Sequence, residues 1–132
     1  MLSTPPTIFA FYAGLNGLIL LFLAVLVTRA RRKTLTSLGD GGHALLQRAI
    51  RAHGNAAEYI PVHLLLLLGL VLIPAEPGLL HAVGATGTVG RVLHGAALSL
   101  SSGPTIGRQV GIILTWGAML AGSIALLIRA FP

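Results

Sequence analysis

The chain contains no cysteine and only three acidic residues, Asp40, Glu58 and Glu76. The first absence excludes disulfides, thiolate metal sites and a protein-borne thiol nucleophile, so any thiol chemistry must use a substrate's sulfur. The second leaves a net charge of +6 against nine Lys and Arg, and a charged fraction of 9%. A water-soluble domain covers its surface with roughly 25% charged residues. What is abundant is apolar: 55% hydrophobic residues, 17 glycines and a mean hydropathy of +0.88 over 132 residues. Much of the surface must therefore face lipid. Four spans of about 20 residues each fill most of the chain and leave no room for a soluble domain. In a soluble protein this charge balance would suggest nucleic acid. Here the basic residues are few and end apolar runs, so membrane topology accounts for them and no nucleic-acid platform is expected.

The pattern predicts an all-α integral membrane four-helix bundle with spans at about 7–28, 48–74, 79–100 and 109–128. The first span is uncharged, with Asn16 its only strongly polar side chain, and stops at Arg29, Arg31, Arg32 and Lys33. The positive-inside rule assigns that cluster to the cytoplasm, which puts both termini outside. No basic region precedes this segment and no convincing cleavage site follows it, so it reads as a retained span. The second apolar run, 60–73, is too short to cross alone and continues backwards through the polar stretch 44–59. Turn signals bracket it at Gly39–Gly42 and Pro74–Gly78. The third span is the weakest by hydropathy, with Gly84, Gly87 and Gly90 at every third position and Arg91 inside it. Ser101–Pro104 closes it, and Arg108 follows in what reads as the second cytoplasmic loop. The fourth holds Trp116 and Met119 and ends at Arg129. Small residues at these spacings, and at Gly103, Gly107 and Gly111, let helix backbones approach closely in lipid.

Ionisable groups inside a span cost something like 2.5 to 3.5 kcal/mol each at the bilayer centre, so they mark a site or a buried pair. Arg48, Arg51, Asn55 and Glu58 project within about an 80° arc of the second helix, with Tyr59 beside them and His53 opposite. An Arg51–Glu58 ion pair, with Asn55 bridging to a neighbouring helix, would be a purely structural reading. It leaves Arg48, Arg91 and Arg108 without a counter-charge, since Glu58 is the sole carboxylate in that half. An anionic ligand is expected to supply the missing charge. Arg91 and His94, three apart on the third helix, share a face. Arg91 lies about ten residues from either end, too deep for easy snorkelling, so it is expected to face the interior.

The segment Arg51-Ala52-His53-Gly54-Asn55-Ala56-Ala57-Glu58-Tyr59-Ile60-Pro61 closely resembles the second-helix signature of the MAPEG family, the membrane-associated proteins of eicosanoid and glutathione metabolism. The pattern reads Arg-Ala-x-x-Asn-x-x-Glu-x-x-Pro. The resemblance extends over the whole chain, through a basic first loop and an Arg-x-x-His pattern at Arg91–His94, and is strongest to small bacterial members. It implies a four-helix protomer assembled as a homotrimer in a bacterial inner membrane, with glutathione bound between protomers near the cytoplasmic side. By position, Arg51, Asn55, Glu58 and Tyr59 match glutathione-contacting residues, and Arg91 matches a basic position in the third helix. Arginines, with Arg48 among them, can clamp the two carboxylates of glutathione while Glu58 receives its ammonium group. Arg108 is the candidate, by location, for stabilising the thiolate, which would attack a lipophilic electrophile arriving through the bilayer. Eukaryotic glutathione-using members carry tyrosines where this chain has His94 and Leu98. His94 can donate a hydrogen bond in place of one; Leu98 cannot.

The leading expectation is therefore a membrane-embedded glutathione transferase or peroxidase-like enzyme, with glutathione as co-substrate. The alternative is a non-enzymatic protein of the same fold that binds a lipid headgroup or other anion, or that scaffolds partners. A proton-coupled exporter also needs four spans and one membrane carboxylate, but that carboxylate must exchange its proton at working pH, and Glu58 shares its face with two cations. The five histidines form no ligand-spaced pair, so no metal site is expected, and the spacing of Gly84, Gly87 and Gly90 is not that of a phosphate loop.

Overall fold

A computed structural model describes residues 4–73 and 75–131 as four helices: α1 (Pro5–Thr34), α2 (Ala44–Leu72), α3 (Pro77–Leu100) and α4 (Ile106–Ala130). Pro74, the expected end of the second span, lies outside the described residues. At about 1.5 Å per residue each helix is long enough to cross a bilayer. By length and composition α1, α2 and α4 qualify as membrane spans. Glycine, threonine, Arg91 and His94 dilute α3.

Local chemistry sets the ends. Thr4 and Thr7 form a capping box at the start of α1, followed by Pro5 in the first turn. α1 closes on Leu35 in the left-handed conformation, after a last turn carrying Arg31, Arg32 and Lys33. The turn into α2 uses Gly39, Gly41 and Gly42, all at positive φ, and the Asp40 carboxylate accepts from the Gly42 N–H at 2.9 Å. Thr105 caps α4 by accepting from the backbone N–H of Arg108.

The helix that is poorest in apolar residues is central to the bundle: α3, like α2, packs against each of the other three. Its glycines explain how. Residues three apart on a helix step by about 60° around the axis. Gly84 consequently meets α1, where a methyl group would overlap the Tyr12 ring. Gly87 meets α2 at the His63 ring, and Gly90 meets α4, where a methyl would lie 2.7 Å from Thr115 Oγ1 and 2.8 Å from the Gly111 carbonyl. Each glycine thus seats a different neighbour. Gly111 returns the fit, since a methyl there would stand 2.5 Å from the backbone nitrogen of His94, and Gly107 abuts Ala97. Gly103, expected to continue this stripe, packs against no neighbouring helix. It lies in the α3–α4 loop, before α4 begins, where helical spacing no longer applies.

Side chains complete the core in three tiers: Ile8, Leu67, Leu70 and Leu80 at one end, Leu23, Ala56 and Ile60 in the middle, and Ala30, Leu46 and Ala49 at the basic end. Asn16 is fully buried and ties α1 to α3, its Nδ2 donating to Thr88 Oγ1 and to the Tyr12 carbonyl, both at 2.8 Å. The Tyr12 hydroxyl lies 3.0 Å from His81 Nδ1.

Candidate functional site

Helical geometry sorts the polar residues of α2 by depth. At about 100° per residue, Asn55 and Tyr59 fall about 20° to either side of Arg48, while Arg51 and Glu58 lie about 60° and 80° round the helix, away from the core. Exposure follows that order: Arg48, Asn55 and Tyr59 are half-buried, and Arg51 and Glu58 are exposed. One stripe therefore has an inner edge in the bundle and an outer edge on the protomer's surface.

Behind the inner edge sits Arg91, 1% exposed. Its Nη1 donates to Asn55 Oδ1 at 2.8 Å and its Nε to Thr115 Oγ1 at 2.9 Å, while the guanidinium carbon stands 4.9 Å from the centroid of the Tyr59 ring. Thr115 in turn donates to the Gly111 carbonyl at 2.8 Å. One cation thus ties α3 to α2 and α4, with a planar fork and an aromatic face that suit arginine better than lysine. Tyr59 is held from its other end by Trp116, whose Nε1 donates to the Tyr59 hydroxyl at 3.2 Å. Arg91 Nη2 is buried without a partner.

In front of Asn55 opens a recess of about 260 Å³ lined by Gln47, Arg48, Arg51, Asn55, His94, Leu98, Ser102 and Arg108. A second hollow, of about 380 Å³, shares His94, Ser102 and Arg108 and runs along the first turns of α4. Arg48 Nη1 donates to Ser102 Oγ at 3.3 Å, and its buried Nε has no partner. Arg108 Nη1 donates to the Gly103 carbonyl at 3.0 Å. Three guanidinium groups therefore line a space with no carboxylate in its wall.

Arg108 requires a correction. It belongs to the first turn of α4, not to the preceding loop, because Thr105 caps the helix three residues earlier. A cation there faces the positive end of the helix dipole, which disfavours it by roughly 0.3 to 1 kcal/mol unless an anion is near.

Of the residues singled out in the sequence, the structure brings Arg48, Arg51, Asn55, His94 and Arg108 to one recess. Arg91 and Tyr59 stand behind it, joined to it through Asn55. Glu58 lines neither hollow and has no ion pair with Arg51, about 10 Å further along the helix axis at 1.5 Å per residue. Sequence reasoning missed Gln47, Ser102 and Thr115. Gln47 was discoverable, one turn before Arg51 on the same face. Thr115 stands one turn after Gly111 on the side facing α3. Ser102 is in a loop and gives no periodic signal. No group of three His, Asp or Glu side chains among the described residues could hold a metal ion.

The chain is similar to two proteins titled Inner membrane protein YecN, from Escherichia coli strain K12 and from Escherichia coli O6:H1. Each is 37% identical over 111 residues, covering 84% of this chain and 83% of the relative. No solved structure matches the chain. With its apolar helices, the similarity identifies a multi-pass membrane protein. The MAPEG family model matches residues 9–128, from the first span to the last and not merely the 51–61 signature of α2, and the chain therefore belongs to the MAPEG family.

Proposed function

We propose that the protein is a membrane-embedded glutathione transferase or peroxidase-like enzyme, assembled as a homotrimer, that binds glutathione near the cytoplasmic face of a bacterial inner membrane. The observation that carries this reading is the composition of the recess, where Arg48, Arg51 and Arg108 converge with no acid among them. Glutathione has two carboxylates for such cations and an ammonium group for Glu58. Glu58 and Arg51 lie on the exposed edge of α2, so a ligand touching both the recess and Glu58 extends over the protomer's surface, where a neighbouring copy would cover it.

In this reading Arg51 and Arg48 hold carboxylates, Asn55 bonds the peptide backbone, and Arg91 keeps Asn55 in place. Arg108 favours the thiolate over the thiol. A free thiol titrates near about 8.5, and two units of depression require about 2.7 kcal/mol of selective stabilisation. The sulfur then attacks a lipophilic electrophile, forming a sulfur–carbon bond as the leaving group departs.

Leu98 in the recess wall favours a second reading, since an apolar side chain there can donate nothing to a thiol. In that reading the same fold binds a lipid headgroup or other anion without turnover. Calorimetric titration of the detergent-solubilised protein with glutathione tests the proposal. Saturable binding, weakened in both Arg51→Ala and Glu58→Gln, is expected; no binding ends it. Binding of glutathione without conversion of any lipophilic electrophile would leave the second reading.

A further inference from the structure

Round α3 from the polar recess, an apolar groove of about 650 Å³ runs between α1 and α3. It shares no lining residue with that recess, but Arg91, which bonds to Asn55 of the recess, also lines the groove. It extends from Leu15 and Thr88 to Leu26 and Ser99, roughly 17 Å along the helix axis at 1.5 Å per residue. That is about half of a hydrocarbon core some 30 Å thick, the depth of one leaflet. Leu18 and Phe22 on α1 and Val92 on α3 form exposed walls. At Leu26, Ser99 and Leu100 the groove continues into a smaller recess of about 260 Å³, and this one is flanked by Arg29 and Lys33.

Those two cations are four residues apart, one turn above the other on α1. Both are exposed, and neither bonds to another described residue. Their neighbour Arg31 is occupied differently, donating to the Gly39 and Thr36 carbonyls. None of the three acids of the chain lines either hollow. An apolar channel one leaflet deep, ending at two free cations, has the shape and charge of a lipid seat and not of a featureless lipid-facing surface.

We infer that this groove binds an anionic phospholipid of the leaflet on the basic side, with one acyl chain between α1 and α3 and the phosphate between Arg29 and Lys33. The headgroup end of the site, at Arg29 and Lys33, shares no lining residue with the glutathione recess. Ser99 lies at the junction, where its hydroxyl, already donating to the Gly95 carbonyl at 2.7 Å, still has lone pairs to accept from the headgroup.

Native mass spectrometry of the full-length protein in neutral detergent tests it, with phosphatidylglycerol and phosphatidylcholine of identical acyl chains as probes. Phosphatidylglycerol is expected to bind roughly 25-fold more tightly, as two basic residues at about fivefold each would give. Arg29→Gln combined with Lys33→Gln should bring it to the phosphatidylcholine level, and Ala96→Phe, which fills the groove from an exposed position, should weaken both lipids. Neither variant should change glutathione affinity or the oligomeric mass. Equal affinity of the unaltered protein for the two lipids overturns the inference, as does a preference that survives in the double variant. Glycerol phosphate competing as well as the lipid would make this a simple anion site. A change of oligomeric mass in Ala96→Phe would assign the groove to a second copy of the chain.

Discussion

Arg91 of α3 donates to Asn55 of α2 at 2.8 Å, deep in the bundle and with its guanidinium 4.9 Å from the centre of the Tyr59 ring. This pair links the part of the protein that sets the fold to the part that faces the recess, because Asn55 belongs to both. A buried cation is tolerated when hydrogen bonds surround it and is costly when one is removed.

Asn55→Leu is accordingly expected to destabilise the protein by about 3 kcal/mol, since Arg91 would keep its charge while Nη1 joined the already unpartnered Nη2. Thr115→Val should cost less, about 1 to 2 kcal/mol, because it removes one neutral acceptor. Replacing both members of the pair, Arg91→Met with Asn55→Leu, should recover part of the loss. Thermal unfolding in detergent, arranged as a double-mutant cycle, measures the coupling; strict additivity would contradict the arrangement.

The glycines make a second, sharper contrast. Gly90→Ala would press a methyl against the backbone of Gly111 and Thr115, and Gly111→Ala against that of His94. Backbone cannot rotate away, so each should cost about 3 kcal/mol or more and loosen α3 from α4. Gly103→Ala meets only Ser101 Oγ, at 3.9 Å, and should leave unfolding within about 0.5 kcal/mol of the original. Thermal melts of the three variants in the same detergent decide it.

Four helices could be read from the sequence because apolar runs in lipid have no competing explanation, and their turns were marked by glycine and proline. The interior placement of Arg91 was legible for a related reason, since nothing at that depth can reach water. Rotation of the polar stripe was less so. Spacing grouped Arg51 and Glu58 with Asn55, but which side of that arc faced the core depended on Ala52, Ala56 and Ile60 packing inward. The start of α4 is not legible in hydropathy, which rises only after Arg108, whereas the Thr105 cap begins the helix before it. Lateral grooves such as that between α1 and α3 leave no periodic trace, since they arise from the shapes of two helices at once.

The absence of cysteine makes topology directly testable. Ser37→Cys in the first loop and Glu76→Cys between α2 and α3 introduce exposed single thiols at opposite ends of the bundle. With the basic loop inside, a membrane-impermeant maleimide applied to whole cells should label Glu76→Cys and leave Ser37→Cys untouched until the membrane is permeabilised. The reverse pattern would invert the orientation and place the arginine recess on the outer face.

Substitution at Leu98 separates thiol activation from simple anion binding. Leu98 is buried at the recess wall beside His94 and Arg108. Leu98→Tyr would introduce a phenolic donor where this chain has none, and a hydrogen bond to a charged acceptor contributes about 1.5 to 3 kcal/mol. If the sulfur of glutathione sits near this wall, its affinity should rise roughly 10-fold, with thiolate absorbance in the ultraviolet increasing alongside it. Quenching of Trp116, the single tryptophan, which reaches Tyr59 behind the recess, follows binding independently. Inorganic sulfate, which carries no thiol, distinguishes the readings. A gain for glutathione alone supports thiol placement against this wall. An equal gain for sulfate and glutathione means that the phenol merely adds a donor to an anion site, and the transferase reading would lose its chemical basis.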